Sequence, residues 1–356
     1  MLLPLLFTLA TAHEVDLYVG TYTERDGSRG IYRARLDART GALSVPELAA
    51  ETTSPSYLAL GKDRLYAVNE KGEGEATAYR IERDGSLTRL NAQPTVGAYP
   101  CHLSLDRECR NLLVANYGGS VTCLPIAGNG SLLPPSDTVL GMGVGPNLVR
   151  QTGPHLHSVR ADPRGRFAYT CDLGADAVMA YRLDSAKGTI RPGGAAAAKP
   201  GAGPRHLAFG PGGRFLYVNN ELDNTVTAYA VDGGTGDLAP LESLSTLPDG
   251  FAGVSHSAEI VVHKDGHWLV VSNRGDDSLA VFAVAKDGRL TLHEIVPTEA
   301  KEPRGFEFDP SGRWLVVAGQ NSDLLVVRPF DPRTGHLGPV ASRASVPKPT
   351  CVVFRR

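Results

Sequence analysis

The sequence predicts an all-β protein, a seven-bladed β-propeller that is closed when its carboxyl-terminal strand pairs with its amino-terminal blade. Three observations predict this fold class: a strand motif that recurs seven times, a four-strand pattern within the repeat, and complementary half-repeats at the two chain ends. Self-similarity at a period of 20–50 residues is the signature of a repeat architecture. Seven units of about four strands are typical of a propeller.

The repeat is clearest between residues 201 and 232. The short apolar segment 204–209 is followed by a turn at 210–214, whose glycines and proline supply the dihedral angles of a tight reversal. A second apolar segment spans 215–218, and the segment 225–231 alternates polar and apolar residues as a half-buried strand does. In other repeats a Gly-containing turn then introduces a fourth strand.

The second segment is the most regular part of the repeat and recurs at intervals of roughly 50 residues. Its seven copies lie at 16–20, 64–70, 111–117, 166–172, 215–221, 267–274 and 313–320. Because the copies are short apolar runs bounded by turn residues, we expect seven small antiparallel sheets.

The two ends of the chain carry complementary halves of one repeat. The amino end enters on a second segment at 16–20, and the carboxyl end at 347–354 is a lone first segment. Pairing these segments would close the ring and remove exposed sheet edges. Two stacked β-sandwich domains, the alternative architecture, would not require matching half-repeats at opposite ends.

No Pro/Gly-rich linker, charge run or low-complexity tract divides the 356 residues. We therefore expect one domain over 13–356, because a closed ring of blades is a single domain by construction. Residues 1–12 are expected to be a signal peptide or a disordered amino terminus, since an apolar run ends in Ala10-Thr11-Ala12. No basic residue precedes that run, so both cytoplasmic residence and export stay open.

Composition narrows the range of partners. The net charge is −2, and no basic stripe is present, so we expect no nucleic-acid binding. No run of 18 apolar residues occurs, so we expect no membrane span. The five cysteines form no CxxC pair and are expected to be small buried residues, which favours the cytoplasm. The predicted partner is a small molecule, and the predicted assembly is a monomer or a weak homodimer.

Ionisable residues gather at one end of the predicted strands. Neighbouring strands of a blade are antiparallel, so the first strand starts at the face where the second strand ends. The residues at strand starts are His102, His155, His157, Arg205, His206, His256, Glu259 and Arg304, and those at strand ends are Glu70, Tyr117, Asp172, Glu221, Arg274 and Gln320. Any one of them could simply hydrogen-bond a neighbouring blade. Converging charges are costly to desolvate, however, and their clustering indicates a functional site at the mouth of the central channel.

Several segments of the chain resemble the seven-bladed β-propeller lactonase family, which includes bacterial 6-phosphogluconolactonases and is related to fungal carboxy-muconate lactonizing enzymes. The segments that carry the resemblance are 18–23, 97–102, 115–119, 203–206, 220–222, 272–275 and 303–306. The resemblance implies hydrolysis of a sugar lactone without a metal or organic cofactor. It points most directly to 6-phosphoglucono-δ-lactone, which yields 6-phosphogluconate in the pentose phosphate pathway. It also implies that the catalytic residues are His157, Arg205, Glu221 and Arg274.

Opening a lactone requires an activated water molecule and a stabilised oxyanion. Glu221 is the candidate general base for the water, and His157 or His206 would orient it or protonate the leaving alkoxide. Arg205 would stabilise the carbonyl oxygen, where preorganised positive charge contributes most.

The remaining residues are assigned to substrate binding. Arg274 and Arg304 would hold a phosphate or a carboxylate, because the planar guanidinium matches either anion. Glu259 and Gln320 would bind sugar hydroxyls. The predicted substrate-binding residues are His102, His155, His206, Glu259, Arg304 and Gln320.

Other functional classes have less support in the sequence. No Gly-x-Ser-x-Gly elbow is present for a serine esterase, and the glycine-rich stretches 141–145 and 201–203 do not lead into a helix as a dinucleotide site would. His155 and His157 could contribute to a metal site, but no further ligands with clear spacing accompany them, so we predict no metal. A non-catalytic binding propeller and a muconate-type cycloisomerase stay open as alternatives.

Overall fold

The structure is a computed structural model that describes residues 13–23 and 27–355. The segment 1–12, interpreted above as a signal peptide or disordered amino terminus, lies outside the described residues. The described chain forms seven antiparallel sheets arranged as the blades of a β-propeller, which confirms the predicted fold class. None of the described residues forms a helix with the length and apolarity needed to cross a membrane.

The first four blades contain strands β1 to β15. Blade 1 includes β1 (Glu14–Thr21), β2 (Gly30–Asp37) and β3 (Glu47–Glu51). Blade 2 comprises β4 (Leu58–Leu60), β5 (Arg64–Asn69), β6 (Glu75–Ile81) and β7 (Leu87–Pro94). Blade 3 comprises β8 (Pro100–Leu105), β9 (Asn111–Asn116), β10 (Ser120–Pro125) and β11 (Asp137–Leu140). Blade 4 comprises β12 (Leu156–Ala161), β13 (Phe167–Asp172), β14 (Ala177–Asp184) and β15 (Thr189–Ala197).

The remaining strands complete the ring. Blade 5 comprises β16 (Pro204–Phe209), β17 (Phe215–Asn220), β18 (Thr225–Val231) and β19 (Leu238–Ser245), with a short 3₁₀ turn at Pro211–Gly213. Blade 6 comprises β20 (His256–Val262), β21 (Trp268–Arg274), β22 (Ser278–Val284) and β23 (Leu290–Pro297). Blade 7 comprises β24 (Pro303–Phe308), β25 (Trp314–Gly319) and β26 (Leu324–Asp331), which pairs with both β27 (His336–Leu337) and β28 (Ser342–Ser345). The last strand, β29 (Pro349–Phe354), belongs to blade 1.

Ring closure occurs as the two half-repeats predict. Strand β29 pairs antiparallel with β1, from Leu17 opposite Phe354 to Gly20 opposite Cys351. The first strand of blade 1 therefore comes from the carboxyl end of the chain and its other three strands come from the amino end. The first strands of neighbouring blades contact one another and surround the central channel.

Apolar packing between neighbouring blades holds the ring together. The second strands β9 and β13 are buried along their whole length, because the adjacent blades cover both of their faces. In the core between blades 5 and 6, Tyr217 and Phe282 are fully buried in one cluster. Burying a large apolar side chain contributes about 1.5–3 kcal/mol relative to leaving it exposed. Four of the five cysteines are buried as expected, and Cys109 is the exposed exception.

An aromatic side chain packs against a glycine where one blade meets the next. Trp314 in blade 7 packs against Gly41 in blade 1, and Trp268 in blade 6 packs against Gly335 in blade 7. Both glycines have positive φ, and a Cβ atom at either position would lie within 2.4 Å of the indole ring. Only glycine satisfies the backbone angle and the close approach together.

A β-bulge interrupts the first strand in six of the seven blades, close to the end where that strand begins. The unpaired residues at these bulges are Thr350, Cys101, His157, Arg205, Arg304 and, in blade 6, one of the pair Ala258-Glu259. A bulge breaks the strict alternation of a strand and re-aims the side chains beside it. Consecutive residues at this end of the channel can therefore both contribute to one site.

Candidate active site

Glu221 is the centre of a buried cluster at the channel mouth. It directly follows β17, and its carboxylate is only 4% exposed. Its Oε2 atom accepts from Arg205 Nε at 2.9 Å and lies 3.1 Å from Arg274 Nη2, while Oε1 accepts from Arg150 Nη2 at 2.6 Å. Burial alone would raise the pKa of Glu221, but Arg274, Arg205 and Arg150 together hold it well below its usual range. The carboxylate therefore stays ionised and is a weak proton acceptor.

Arg205 is almost completely buried, at 1% exposure, and it is fixed on three sides. Besides the bond to Glu221, its Nη1 donates to the Ala258 carbonyl at 2.5 Å and to His206 Nε2 at 3.2 Å. Burial, together with the nearby positive charge of Arg304, lowers the pKa of Arg205. Among the described residues, none accepts a hydrogen bond from Nη2, the one guanidinium nitrogen left available.

His206 and Glu259 form a buried pair behind Arg205. A guanidinium only donates, so His206 Nε2 must accept from Arg205, and its Nδ1–H must then donate to Glu259 Oε1 at 2.9 Å. Burial, followed by the positive charge of Arg205, lowers the pKa of His206 well below its usual range, which keeps the ring neutral. Burial raises the pKa of Glu259 to about 7, against the opposing effects of Arg160 and Arg205. The pair therefore fixes both the tautomer of His206 and the position of Arg205.

His157 lies at the bulge of β12 and is 5% exposed. Its Nδ1 lies 3.8 Å from the Cys101 thiol, and its ring packs at 5.2 Å from the ring of His206. Burial and the positive charge of Arg205 lower the pKa of His157 well below its usual value. No protein group within the described chain hydrogen-bonds His157 Nε2, so a neutral imidazole nitrogen is available to a ligand.

A second polar chain occupies another part of the mouth. Arg304 Nη2 donates to the Tyr22 hydroxyl at 2.7 Å, and its guanidinium lies over the Tyr22 ring at 5.1 Å. The Tyr22 hydroxyl in turn donates to Glu70 Oε2 at 2.9 Å, and the Ser56 hydroxyl donates to the same oxygen. Arg304 is therefore neutralised through a tyrosine rather than by direct contact with a carboxylate.

His102 lies in the channel wall below this cluster. It is fully buried, accepts the Val159 N–H at its Nδ1 at 3.4 Å, and stacks on Tyr57 with ring centroids 4.2 Å apart. The Tyr57 hydroxyl donates weakly to Glu259 Oε2 at 3.5 Å and accepts from Arg160 at 3.4 Å. His102 thus supports the His206–Glu259 pair and does not hydrogen-bond Arg205 or Glu221.

Two of the predicted site residues stand apart from the buried cluster. His155 is half-buried, stacks on Tyr117 at 4.3 Å and contacts the Tyr117 carbonyl through Nδ1 at 2.9 Å. It precedes β12, and the bulge at His157 breaks the alternation that would have placed both histidines on one face as a metal pair. The Gln320 side chain makes no hydrogen bond with any described residue of the cluster, and only its backbone N–H is bound, by the Glu302 carbonyl.

Several members of the site were not predicted from the sequence. Arg150 belongs to the connection between β11 and β12, where Asn147 Oδ1 accepts the backbone N–H groups of Val149 and Arg150. Tyr57 precedes the short strand β4 in an apolar stretch, and such a tyrosine is typical of core packing. The one available signal for Arg150 was the Asn147 turn, which does not indicate where the arginine points.

Among the described residues, guanidinium groups at the mouth outnumber the carboxylates that they contact. Four guanidinium groups, those of Arg150, Arg205, Arg274 and Arg304, are linked directly or through Tyr22 to two described carboxylates, Glu221 and Glu70. Arg274 Nε and Nη2 are buried and lack a hydrogen bond of good geometry to any described residue, although Nη2 lies close to Glu221. Burial lowers the pKa of Arg274 to about 10. Buried donors without partners are uncommon and indicate a place for an anionic ligand.

Two cavities follow one another along the channel. The upper one has a volume of about 10 Å³, enough for one water molecule, and is lined by Arg205, His206, Glu259 and Arg304 among others. The lower one has a volume of about 940 Å³ and is lined largely by the apolar ends of the first strands. Arg205, His206 and Arg304 therefore line the smaller cavity, and Glu259 lines both.

The sequence and the fold are similar to those of known proteins. The family model of the seven-bladed beta-propeller lactonases matches residues 16–354. The chain is 40% identical over 343 residues to a 6-phosphogluconolactonase of Bacillus subtilis, covering 95% of this chain and 97% of the relative. It is 34% identical over 293 residues to a 6-phosphogluconolactonase of Pectobacterium carotovorum, covering 82% of this chain and 84% of the relative.

A solved structure has the same fold as this chain. The periplasmic gluconolactonase of Pseudomonas aeruginosa superimposes with a TM-score of 0.90 at 37% identity, covering 96% of this chain and 99% of the other. Both the sequence match and the structural match extend over nearly the whole ring. The chain therefore belongs to the seven-bladed β-propeller lactonase family.

Proposed function

We propose that this lactonase hydrolyses an anionic sugar lactone, 6-phosphoglucono-δ-lactone, to the open-chain acid. The observation that carries the proposal is the excess of guanidinium groups at the channel mouth, together with the unpartnered donors of Arg274. A phosphate or carboxylate would satisfy those donors with charge-assisted hydrogen bonds. The relatives named as 6-phosphogluconolactonases support a phosphorylated substrate, and the relative named as a gluconolactonase makes the unphosphorylated lactone the natural competitor.

The hydrogen bonding around Glu221 argues for a role different from the one predicted from the sequence. Its two oxygens already serve three guanidinium groups, and its pKa is held well below the usual range by those charges. Taking a proton from water would remove the negative charge that these three cations share, so Glu221 is poorly suited to activate water. We assign Glu221 to aligning Arg205 and Arg274 rather than to activating water.

His157 is the better candidate for the general base. Its pKa is low because of burial and Arg205, so the ring is neutral at pH 7 and its unbound Nε2 can accept a proton. The nearest acceptor for the Cys101 thiol among its contacts is the His157 carbonyl, at 3.5 Å. When the thiol donates to that carbonyl, its sulfur can accept from His157 Nδ1–H. In this tautomer the ring hydrogen is on Nδ1, and Nε2 keeps a free lone pair. The negative charge of Glu221 favours the imidazolium once it forms.

The reaction then proceeds through a tetrahedral intermediate. His157 Nε2 takes a proton from water as the water oxygen bonds to the carbonyl carbon, and negative charge develops on the carbonyl oxygen. Arg205, fixed by Glu221, His206 and Ala258, presents its remaining nitrogen, Nη2, to that oxyanion. The intermediate collapses as the ring C–O bond breaks, and the imidazolium returns its proton to the departing alkoxide. The product acid ionises and releases one proton to solvent.

The other two functions considered from the sequence have less support. The relatives described above carry the names of lactonases, neither of binding modules nor of cycloisomerases. A binding module would also not require a buried guanidinium with unsatisfied donors, because such groups are costly to desolvate.

The deciding experiment compares δ-gluconolactone with its 6-phosphate for wild-type protein and the Arg274→Met variant. Both lactones open spontaneously, so the measured quantity is the rate above the uncatalysed blank, with a chelator present. We expect the variant to raise KM for the phosphorylated lactone by about 10- to 100-fold, which corresponds to the loss of hydrogen bonds to a charged group, and to leave the unphosphorylated lactone little changed.

The exposed Arg333, at 88% exposure, provides the matched control, because Arg333→Met removes the same charge far from the channel mouth. A wild-type preference for the unphosphorylated lactone, or an equal effect of Arg274→Met on both lactones, would contradict the phosphate assignment. No rate above the blank with either compound would contradict the proposed substrate class.

A further inference from the structure

A group of three metal-ligating side chains lies on the outer edge of the ring, away from the channel. His293 and Glu294 belong to β23 in blade 6, and His336 belongs to β27 in blade 7. One ligand atom from each of the three lies within 4.8 Å of the other two, and among the described residues this is the group that satisfies such a spacing. Glu294 Oε2 lies 2.8 Å from His336 Nδ1, and the two imidazole rings are 4.5 Å apart.

A β-bulge explains how two consecutive residues of one strand reach the same point. Val281 pairs with Glu294 and Phe282 pairs with Leu292, so His293 is the extra residue. In a regular strand His293 and Glu294 would point to opposite faces. The bulge turns both toward blade 7, where His336 is located.

The turn that carries His336 is held in place by contacts other than those between the three ligand atoms. Trp268 Nε1 donates to the Pro332 carbonyl at 2.8 Å, and the indole ring packs against Gly335, the residue before His336. Glu294 Oε1 accepts the Leu337 N–H at 2.8 Å, which orients the carboxylate and leaves Oε2 directed at His336. The positions of Glu294 and His336 are therefore set by the fold.

The junction between blades 5 and 6 has the same backbone arrangement with other side chains. Between blades 5 and 6, Leu241 is the extra residue of the equivalent bulge, and Glu242 Oε1 accepts the Leu290 N–H. Arg289 precedes Leu290 and pairs with Glu242 at 3.5 Å, and Leu241 packs against the apolar core. The seam between blades 6 and 7 keeps the glutamate but has His293 in place of the leucine and His336 in place of the arginine.

From this comparison we propose that His293, Glu294 and His336 form a site for a divalent transition metal of the zinc class. Two imidazoles and one carboxylate are a recognised ligand set for Zn²⁺, and ligand atoms on a tetrahedral ion lie about 3.3 Å apart. Both histidines are exposed and can rotate by the small amount needed to reach that spacing. The fourth position faces solvent and takes a water molecule. When the ion binds His336 Nδ1, the neutral imidazole carries its hydrogen on Nε2, and Glu294 Oε2 coordinates the ion in place of the His336 contact.

The site joins the outer strands of two blades and is independent of the proposed catalysis. Metal bound there links β23 to β27 and stabilises the folded ring by mass action, because the unfolded chain does not hold the three ligands together. Since the ligands lie far along the blade from the channel, we expect lactone hydrolysis to be the same with and without the ion.

The test uses metal-stripped full-length protein and Zn²⁺ in competition with a chromophoric chelator. We expect one Zn²⁺ per chain with micromolar or tighter affinity and a rise in Tm on the order of 3 °C at saturating Zn²⁺. Mg²⁺, which prefers six oxygen ligands, should give neither effect. The variants His336→Arg and His293→Leu recreate the seam between blades 5 and 6, so they are expected to fold while weakening Zn²⁺ binding at least tenfold.

Two results would overturn the proposal. One is the absence of stoichiometric Zn²⁺ binding by the wild-type chain at 100-fold excess of the ion over protein. The other is Zn²⁺ binding that neither variant weakens, which would place the ion at other surface histidines. The Tm of each variant without metal shows whether it has folded as well as the wild type.

Discussion

The upper and lower halves of the central channel differ in both volume and chemistry. The upper cavity has room for about one water molecule and is lined by Arg205, His206 and Arg304, whereas the lower cavity measures about 940 Å³ and is lined by apolar strand ends with charged residues such as Arg160 and Lys264 among them. In the channel-lining first strands the bulges lie near the start of the strand, and below them these strands pair in regular register, as Leu103 to Leu105 do with β9. Local backbone irregularity, rather than cavity volume, therefore marks the place where chemistry can occur.

Among the variants that test this difference between the two parts of the channel, a variant of His157 is expected to have the largest effect on activity. The variant His157→Gln should lower kcat by a factor of about 10² to 10⁴, because a neutral amide cannot take the proton of the attacking water. The wild-type rate should decline with acid only well below pH 6.5, since burial and Arg205 lower the pKa of His157. Steady-state rates above the uncatalysed blank, measured across pH, check both expectations.

The lower half of the channel supplies the control for that variant. Lys264 lines the large cavity and donates to the Pro310 carbonyl at 2.8 Å. Lys264→Met should leave kcat and KM unchanged. A comparable loss of rate in both variants would show that the two halves do not differ in function, and full activity of a folded His157→Gln protein would remove His157 from the mechanism.

A smaller effect is expected on stability when the charge of Glu221 is removed. Glu221→Gln leaves Arg150, Arg205 and Arg274 without their shared counter-charge, and breaking a buried ion pair typically costs about 3–5 kcal/mol. Denaturant unfolding should therefore show a lower free energy of unfolding, and turnover should fall because Arg205 loses an anchor.

The surface pair Glu299–Arg343 provides a matched control, because both of its side chains are about half exposed. Glu299→Gln should change the free energy of unfolding by at most about 1 kcal/mol. If Glu221→Gln costs no more than this, the arginines do not depend on Glu221 as we infer.

The smallest effect concerns Glu259 and appears only as pH changes. Its pKa is about 7 in the folded protein, raised by burial from the ordinary value of 4.5, so the folded state binds a proton more tightly than the unfolded state. The stability that Glu259 contributes is present below pH 4.5 and is lost as the pH rises to about 7. The glutamine of the Glu259→Gln variant does not titrate. As the pH rises from 4.5 to about 7, the free energy of unfolding of the variant should therefore increase relative to that of the wild type by up to about 3 kcal/mol. Parallel pH profiles for the two proteins would contradict this.

The sequence predicted the architecture and its closure because the same strand pattern occurs seven times along the chain. Each copy of the second segment repeats the same apolar pattern, and the segments at 16–20 and 347–354 are complementary halves, so an error in one copy does not change the conclusion. The approximate position of the site was predicted from the same repeat, because strand starts and strand ends meet at one face. This prediction placed Arg205 near Glu221 and Arg274, and the three side chains are in contact in the structure.

The detailed arrangement could not be predicted, because it depends on departures from regularity. Strict alternation would separate Arg205 from His206 onto opposite faces, yet the bulge in β16 lets both reach the cluster. Arg150 comes from an irregular connection with no periodicity, so no sequence pattern indicated its contact with Glu221. The role of Glu221 also depended on how many cations share it, a number that only the folded geometry gives.

The pairing of β29 with β1 has a consequence for folding during synthesis. The strand that completes the first blade is synthesised more than three hundred residues after β1, so β1 keeps an unpaired edge until then. Thr350, in that final strand, also lines the pocket beside Arg205 and Arg304. A chain that lacks β29 would therefore be an open ring with an incomplete pocket.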